Sequence, residues 1–255
     1  MKKILALLLT VAMLLSATIV FASCSEKEDK VLVMATNATF PPYEYIGEGD
    51  KIVGIDAEIA AEIAKKLDMT LEIKDVDFGS ILGGVKGGKY DIGMAGMTVT
   101  PDRLKEVNFT TSYAKGVQVI IVKADSGITS AADLTGKKIG VQQDTTGDIY
   151  ASDTVENGGF GDENVTRYKS GNDAVLALTS GKIDAVIIDK EPANSYVKTN
   201  EGLTILETPY ADEDYAIAVS KDNPELLQKV NKALEELIAD GTVAAIINKY
   251  IPAEG

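Results

Sequence analysis

The chain has 255 residues, a formal net charge of −14, 45% hydrophobic residues, one cysteine, and neither histidine nor tryptophan. With 25 Lys+Arg against 39 Asp+Glu it has no basic surface to release counterions from a phosphate backbone, so no nucleic-acid partner is expected. Without imidazole there is no His-based triad, His general base or His-ligated zinc, and one cysteine allows no intrachain disulfide. What remains is an acidic globule long enough for two lobes.

The first element is an address. Met1-Lys2-Lys3 is a short basic start, and Ile4 to Ala22 is apolar apart from Thr10, Ser16 and Thr18. That pattern reads as a secretory signal over residues 1–23; a retained membrane anchor is the bland alternative, since the run is about long enough to span a bilayer. Cys24 favours the signal. Phe21-Ala22-Ser23-Cys24 resembles the lipobox of bacterial lipoproteins, with Phe21 where leucine is usual. The resemblance implies cleavage before Cys24 and lipidation of its thiol. Residues 24–30 then form a polar tether. Loss of Lys2 and Lys3 leaves 23 basic against 39 acidic residues, a net charge of −16.

Beyond the tether, strands and helices alternate. Val31 to Ala35 is an apolar strand. Ile59, Ile63 and Leu67 mark one face of a helix from Asp56 to Leu67. A strand at Leu71–Ile73, a helix at Ser80–Lys86 and a strand at Asp91–Ala95 follow. Thr100-Pro101 places an N-cap and a proline at the start of the next helix. Val117–Val122 is a strand, and the pattern restarts: strand 139–141, helix from about Thr146, strand 165–168, helix 173–179, strand 185–188, helix 191–198. Tyr215–Val219 reads as one further strand, followed by helices from Pro224 to about Asp240 and from Thr242 to Tyr250. This alternation predicts an α/β fold with parallel strands.

One segment repeats faintly. Gly88-Lys-Tyr-Asp-Ile-Gly-Met-Ala-Gly96 aligns with Gly181-Lys-Ile-Asp-Ala-Val-Ile-Ile-Asp189, each running from a short helix through a glycine turn into a strand. Gly96 and Asp189 fall just past the carboxyl ends of those strands, where open α/β sheets gather ligands. The competing explanation is chance likeness of two helix–turn–strand units.

The chemistry concentrates in four places. Gly96-Met97-Thr98-Val99-Thr100-Pro101-Asp102-Arg103 sets a hydroxyl, a helix start and a guanidinium directly after a strand. Helix N–H groups favour anions, and the planar guanidinium can hold both oxygens of a carboxylate. Otherwise it is a capped helix with a surface arginine. Gln142-Gln143-Asp144-Thr145-Thr146-Gly147 is a second anion-competent turn, or an ordinary strand–helix connection. Asp189 ends an apolar strand, where a carboxylate needs a cation: Lys190, Arg167 or a ligand ammonium. Alternatively it caps the next helix. Finally, Thr36 to Tyr45 is read as a loop stiffened by Pro41 and Pro42, with Phe40 and Tyr43 either as a ligand platform or as a lid over the lobe's own core.

Together these motifs resemble the bacterial extracellular solute-binding proteins of the polar amino acid family, the capture components of ABC importers. The resemblance spans essentially the whole mature region. It is carried by Gly54-Ile55-Asp56-Ala57-Glu58-Ile59 (Ala57 replacing a usual larger aliphatic or threonine), Phe40-Pro41-Pro42-Tyr43, Ala95 to Thr98 with Arg103, Gly140-Val141 with Thr145-Thr146-Gly147, and Asp184-Ala185-Val186 with Asp189. It implies a type II periplasmic-binding-protein-like fold: two α/β lobes, each a sheet flanked by helices, two hinge strands, and a ligand cleft between the lobes. The first lobe would be residues 31–116 with 209–255, and the second 117–208. By the same resemblance Arg103 grips an α-carboxylate, helped by Thr98 and the region of Thr145 and Thr146. Asp189 and the Gly96 carbonyl take the α-ammonium, Phe40 packs on the ligand, and Asn37 and Gln143 read its side chain; Tyr43 and Met97 complete the set.

The implied function is extracytoplasmic capture of a polar L-amino acid, glutamine-like or basic, by closure of the lobes around the zwitterion. Delivery would be to an ABC permease, by a lipid-anchored monomer without cofactor, metal or catalytic residues. Charge-assisted hydrogen bonds contribute about 1.5–3 kcal/mol each, and micromolar affinity needs about 8 kcal/mol, so a few contacts suffice. Two alternatives compete. A dehydratase on this scaffold would need a positioned acid such as Asp189 or Glu191, and no nucleophile–base pair stands out. A sensor domain would be expected to carry an attached signalling segment.

Overall fold

The computed structural model describes residues 30–206 and 209–252. The signal, Cys24 and nearly all of the tether lie outside them. Among the described residues, no helix is long and apolar enough to cross a membrane.

Two mixed sheets organise residues 31–252. The first is five-stranded: β1 (Val31–Thr36), β5 (Thr70–Asp75), β6 (Ile92–Gly93), β7 (Asn108–Phe109) and β14 (Ala218–Val219), in the order β5-β1-β6-β14-β7. Its first three strands are parallel, while β14 runs antiparallel to β6 and β7. The second contains β8 (Ala114–Lys123), β9 (Ile139–Gln142), β10 (Val165–Tyr168), β11 (Ala185–Asp189) and β12 (Leu203–Ile205), in the order β10-β9-β11-β8-β12, with β13 (Ala211–Tyr215) also paired to β8. Here β9, β10 and β11 are parallel, and β8 is antiparallel to β11, β12 and β13. The parallel expectation thus holds only for the strands joined by helices. Strands that carry the chain between sheets, or back from one, pair antiparallel.

Helices cover both sheets. α1 (Ile55–Lys66) buries Ile55, Ile59 and Ile63 at helical spacing, with Asp56 and Glu58 in its first turn and Lys65 and Lys66 in its last, as the macrodipole favours. α2 (Phe78–Lys86) and α3 (Pro101–Glu106) complete this side, and Thr100 caps α3 by accepting from the Arg103 N–H. The second sheet carries α4 (Thr146–Ser152), α5 (Gly171–Thr179) and α6 (Lys190–Thr199). The chain returns to the first lobe with α7 (Pro224–Ala239) and α8 (Thr242–Tyr250), and α7 buries Val230, Ala233, Leu234 and Leu237.

Two local readings change. The expected loop 36–45 contains the start of a small antiparallel sheet, β2 (Thr39–Phe40), β3 (Glu44–Ile46) and β4 (Ile52–Val53), in which Phe40 pairs with Glu44. The prolines occupy the turn between β2 and β3, so they do not interrupt its pairing. The single strand expected at Tyr215–Val219 is the end of β13 in one sheet and all of β14 in the other. Between them Ala216 and Ile217 are fully buried, so apolarity runs unbroken across a change of sheet.

The chain crosses between the lobes on β8 and β13, paired from Tyr215 opposite Ala114 to Ala211 opposite Gln118. Beside this crossing an apolar cluster continues from Phe40 and Tyr43 through Tyr215 to Ile188 and Tyr196.

Candidate functional site

A small cavity lies between the lobes at the carboxyl ends of their strands. Its walls include Asn37, Phe40, Gly96, Thr98, Arg103, Thr145, Thr146 and Asp189, all singled out from the sequence.

Arg103 is buried at the start of α3. Its Nη1 donates to the Thr98 carbonyl at 2.7 Å, and Nη2 donates to the Asp144 carbonyl of the other lobe at 3.2 Å. Its guanidinium lies 5.4 Å from the Phe78 ring centre, within cation–π range. Burial lowers its pKa from the ordinary arginine value, and the charges of Glu213 and Asp189 push it back up. Of five guanidinium hydrogens two are thus engaged, which leaves donors for a carboxylate.

Asp189 ends β11 and is buried. Its side chain does not cap α6. It accepts instead from the Tyr215 hydroxyl and, at 2.7 Å, from Gln118 Nε2, so both crossing strands hold it. Neither proposed protein cation reaches it: Arg167 pairs with Asp148 and Asp162, and Lys190 is exposed. Burial, then the Glu213 charge, raise the Asp189 pKa well above the carboxylate range.

Gly96 has φ +50, and a Cβ there would stand 2.8 Å from the Phe40 ring. Glycine therefore lets the strand end approach the aromatic wall. The Gly96 N–H donates to Asp56 Oδ2 at 2.9 Å, and the Tyr113 hydroxyl donates to Asp56 Oδ1 at 2.8 Å. Burial raises the Asp56 pKa to about 6, with those two donors pulling it down. Asn37 spans the cleft by accepting from Gln142 Nε2 at 2.9 Å, and the Tyr196 hydroxyl bridges to the Thr39 carbonyl at 2.7 Å. Thr145 caps α4, accepting from the Asp148 N–H. Thr146 is buried, 3.4 Å from the Gln118 amide.

Three residues expected at the site do not line this cavity. Tyr43 lies behind Phe40, its ring 6.0 Å from that of Phe40 and 5.1 Å, edge-on, from that of Tyr215. Met97 is fully buried among core residues around Ile81 and Val107. Gln143 lines an outer cavity with Asp77 and Lys169, and its neighbour Gln142 takes the inner place. A one-residue shift in an extended chain reverses the side-chain direction.

Four wall residues were missed: Glu44, Phe78, Ala95 and Gln142. Glu44 carries the most chemistry. It is fully buried, and among the described residues no donor reaches either carboxylate oxygen. Burial, then the Asp56 charge, raise its pKa well above the usual range, and its contact with the Asp56 carboxyl becomes a hydrogen bond only with a proton between them. Its sequence signal was a carboxylate between Tyr43 and Tyr45 in an apolar stretch. Among the described residues no group of three or more Cys, Asp or Glu is placed to hold a metal ion.

Residues 32–253 match the model of "Bacterial extracellular solute-binding proteins, family 3". The chain is 36% identical over 253 residues to the arginine-binding extracellular protein ArtP of Bacillus subtilis, covering 95% of this chain and 97% of that protein. An ancestral arginine-binding protein, solved with arginine and with glutamine, superposes with a TM-score of 0.79 at 41% identity, covering 86% of this chain and 97% of that one. The arginine-, lysine-, histidine-binding protein ArtJ of Geobacillus stearothermophilus gives a TM-score of 0.81 at 33% identity, covering 89% and 97%. These structures have the type II periplasmic-binding-protein fold.

Proposed function

Because the chain belongs to family 3 of the bacterial extracellular solute-binding proteins, whose members capture amino acids outside the cytoplasm for ABC transporters, we propose that its ligand is an L-amino acid with a cationic side chain, of the arginine class. The buried, donor-free carboxyl of Glu44 carries this reading. A zwitterion matches Arg103 with its carboxylate and Asp189 with its ammonium, and has nothing left for Glu44. A side-chain cation supplies the missing partner. Isolated buried charge is costly, so such a pair discriminates strongly against neutral side chains. The relatives named for binding arginine support the same class.

In this reading the lobes comprise 31–116 with 209–255 and 117–208, and turn about β8 and β13. Only closure brings Arg103 and Asp189 to one ligand, so ligand favours the closed state. Residues 1–23 act as export signal, and Cys24 carries the lipid that holds a monomer at the membrane beside its permease. A neutral amide ligand is the second reading, favoured by the Asn37–Gln142 pair and by a Glu44 that keeps its proton.

Thermal shift and calorimetry with arginine, lysine and glutamine separate the two. Glu44→Gln should weaken arginine binding at least about tenfold and leave glutamine nearly unchanged. Preference for glutamine in the unmodified protein would establish the amide reading instead.

A further inference from the structure

Glu213 lies on β13, one of the two crossing strands, and is 5% exposed. Its Oε2 accepts from the Thr98 hydroxyl at 2.9 Å and from Gln118 Nε2 at 3.2 Å. The same Gln118 nitrogen donates to Asp189 Oδ2 at 2.7 Å. The two carboxylate oxygens are therefore no farther apart than the sum of those two distances, and both residues are buried. One amide cannot neutralise two buried carboxylates, and like charges this close do not both ionise readily.

We propose that Glu213 is a positioning residue of the ammonium site: close beside it Asp189 holds a buried proton, and capture of the ligand's α-ammonium expels that proton to solvent. This rests on the reading of Asp189 as the ammonium acceptor.

The surrounding charges do not remove the need for the proton. From α3, Arg103 faces both carboxylates, but its terminal nitrogens are turned to the Thr98 and Asp144 carbonyls. No ion pair within 4.0 Å joins it to either one among the described residues. From β13, Tyr215 donates to Asp189, and from α4, Tyr150 approaches Glu213. From β3 and the turn before it, Glu44 and Tyr43 add no positive charge. Lys115 on β8 pairs with Asp214, and Lys190, next to Asp189, is exposed. An arriving ammonium supplies the cation this cluster lacks and makes the proton redundant. The high pKa of Asp189 agrees with that account. Glu213 also holds the Thr98 hydroxyl and Gln118, so it connects the carboxylate and ammonium ends of the site to a crossing strand.

The sign follows from linkage. Binding that releases a proton weakens as pH falls, by about tenfold per pH unit once Asp189 is protonated in the free protein. The test is calorimetry of L-arginine binding to the full chain in buffers of different ionisation enthalpy, which counts protons. The unmodified protein should release about one proton per arginine from this pair near neutral pH. Des-amino-arginine, which lacks the ammonium, should release fewer, and this comparison needs no variant to fold. Glu213→Gln keeps an acceptor for Thr98 and should remove the same share of release and flatten the pH profile. Equal proton counts for the two ligands, or an unchanged count and pH profile in Glu213→Gln, would overturn the proposal. Failure of every amino acid to bind would instead overturn the functional reading on which it rests.

Discussion

The units α2–β6 and α5–β11 perform the same task in the two lobes and finish it differently. Both leave a helix through a glycine of positive φ, Gly88 at +72 and Gly181 at +73. Both then clip an aspartate to the start of a neighbouring strand. Asp91 donates its N–H to the Val33 carbonyl at 2.9 Å and accepts from the Val33 N–H at 2.8 Å. Asp184 does the same with Lys138, at 2.8 Å in each direction. Both strands then run through the middle of their sheets. At the last aligned position the units diverge: Gly96 gives a backbone turned against Phe40, and Asp189 gives a buried carboxylate tied to the crossing strands. The faint sequence repeat is thus a structural one, and its single sharp difference falls on the ligand cleft. One scaffold used twice delivers opposite electrostatic partners, because Arg103 follows the first unit and Asp189 ends the second.

The contrast at the strand ends is where the largest effects are expected. Arg103→Ala should cost about 2–5 kcal/mol of amino acid binding, since a buried carboxylate would lose its partner. Asp189→Asn should cost a similar amount for ligands with an α-ammonium and far less for analogues without it. Calorimetry on both variants reads the two ends separately, and equal losses for both ligand types would show that the ends do not divide the labour.

Gly96→Ala probes the first unit's own ending. Its φ and the Phe40 contact predict a loss of about 1–3 kcal/mol in stability, measured by urea unfolding, with Phe40 displaced from the cavity. Tolerance of alanine would mean that the close approach is not required.

The shared part of the units should respond alike, and least. Asp91→Ala and Asp184→Ala should each cost about 1 kcal/mol of stability without altering affinity, Asp91 slightly more because it is half-buried and Asp184 exposed. A large difference between them, or a loss of binding from either, would break the equivalence.

Much of this was legible in the chain. Periodic apolar residues located α1, Thr100-Pro101 located α3, and apolar runs located β1, β8 and β11, because those signals are local. Arg103 and Asp189 stood out because a charge beside an apolar strand end is costly unless it has a use. Glu44 was not legible, because its burial comes from the pairing of β3 with β2 and from Asp56, twelve residues further along. Gln142 was confused with Gln143 because residue types carry no direction, and only the strand's pleat decides which side chain faces inward. The break between β13 and β14 was invisible because a buried crossing is as apolar as a buried strand.

The sequence by itself determined most of the elements, the doubled unit, and the two charges, Arg103 and Asp189, that the fold brings to one cleft. Composition set the acidity and the absence of imidazole chemistry. The tertiary structure alone decided that Glu44, Asp56, Asp189 and Glu213 are buried, with Asp189 and Glu213 sharing one amide and Arg103 facing them. Local periodicity arises from neighbours along the chain, whereas the energy of a buried charge depends on whichever groups the fold brings beside it.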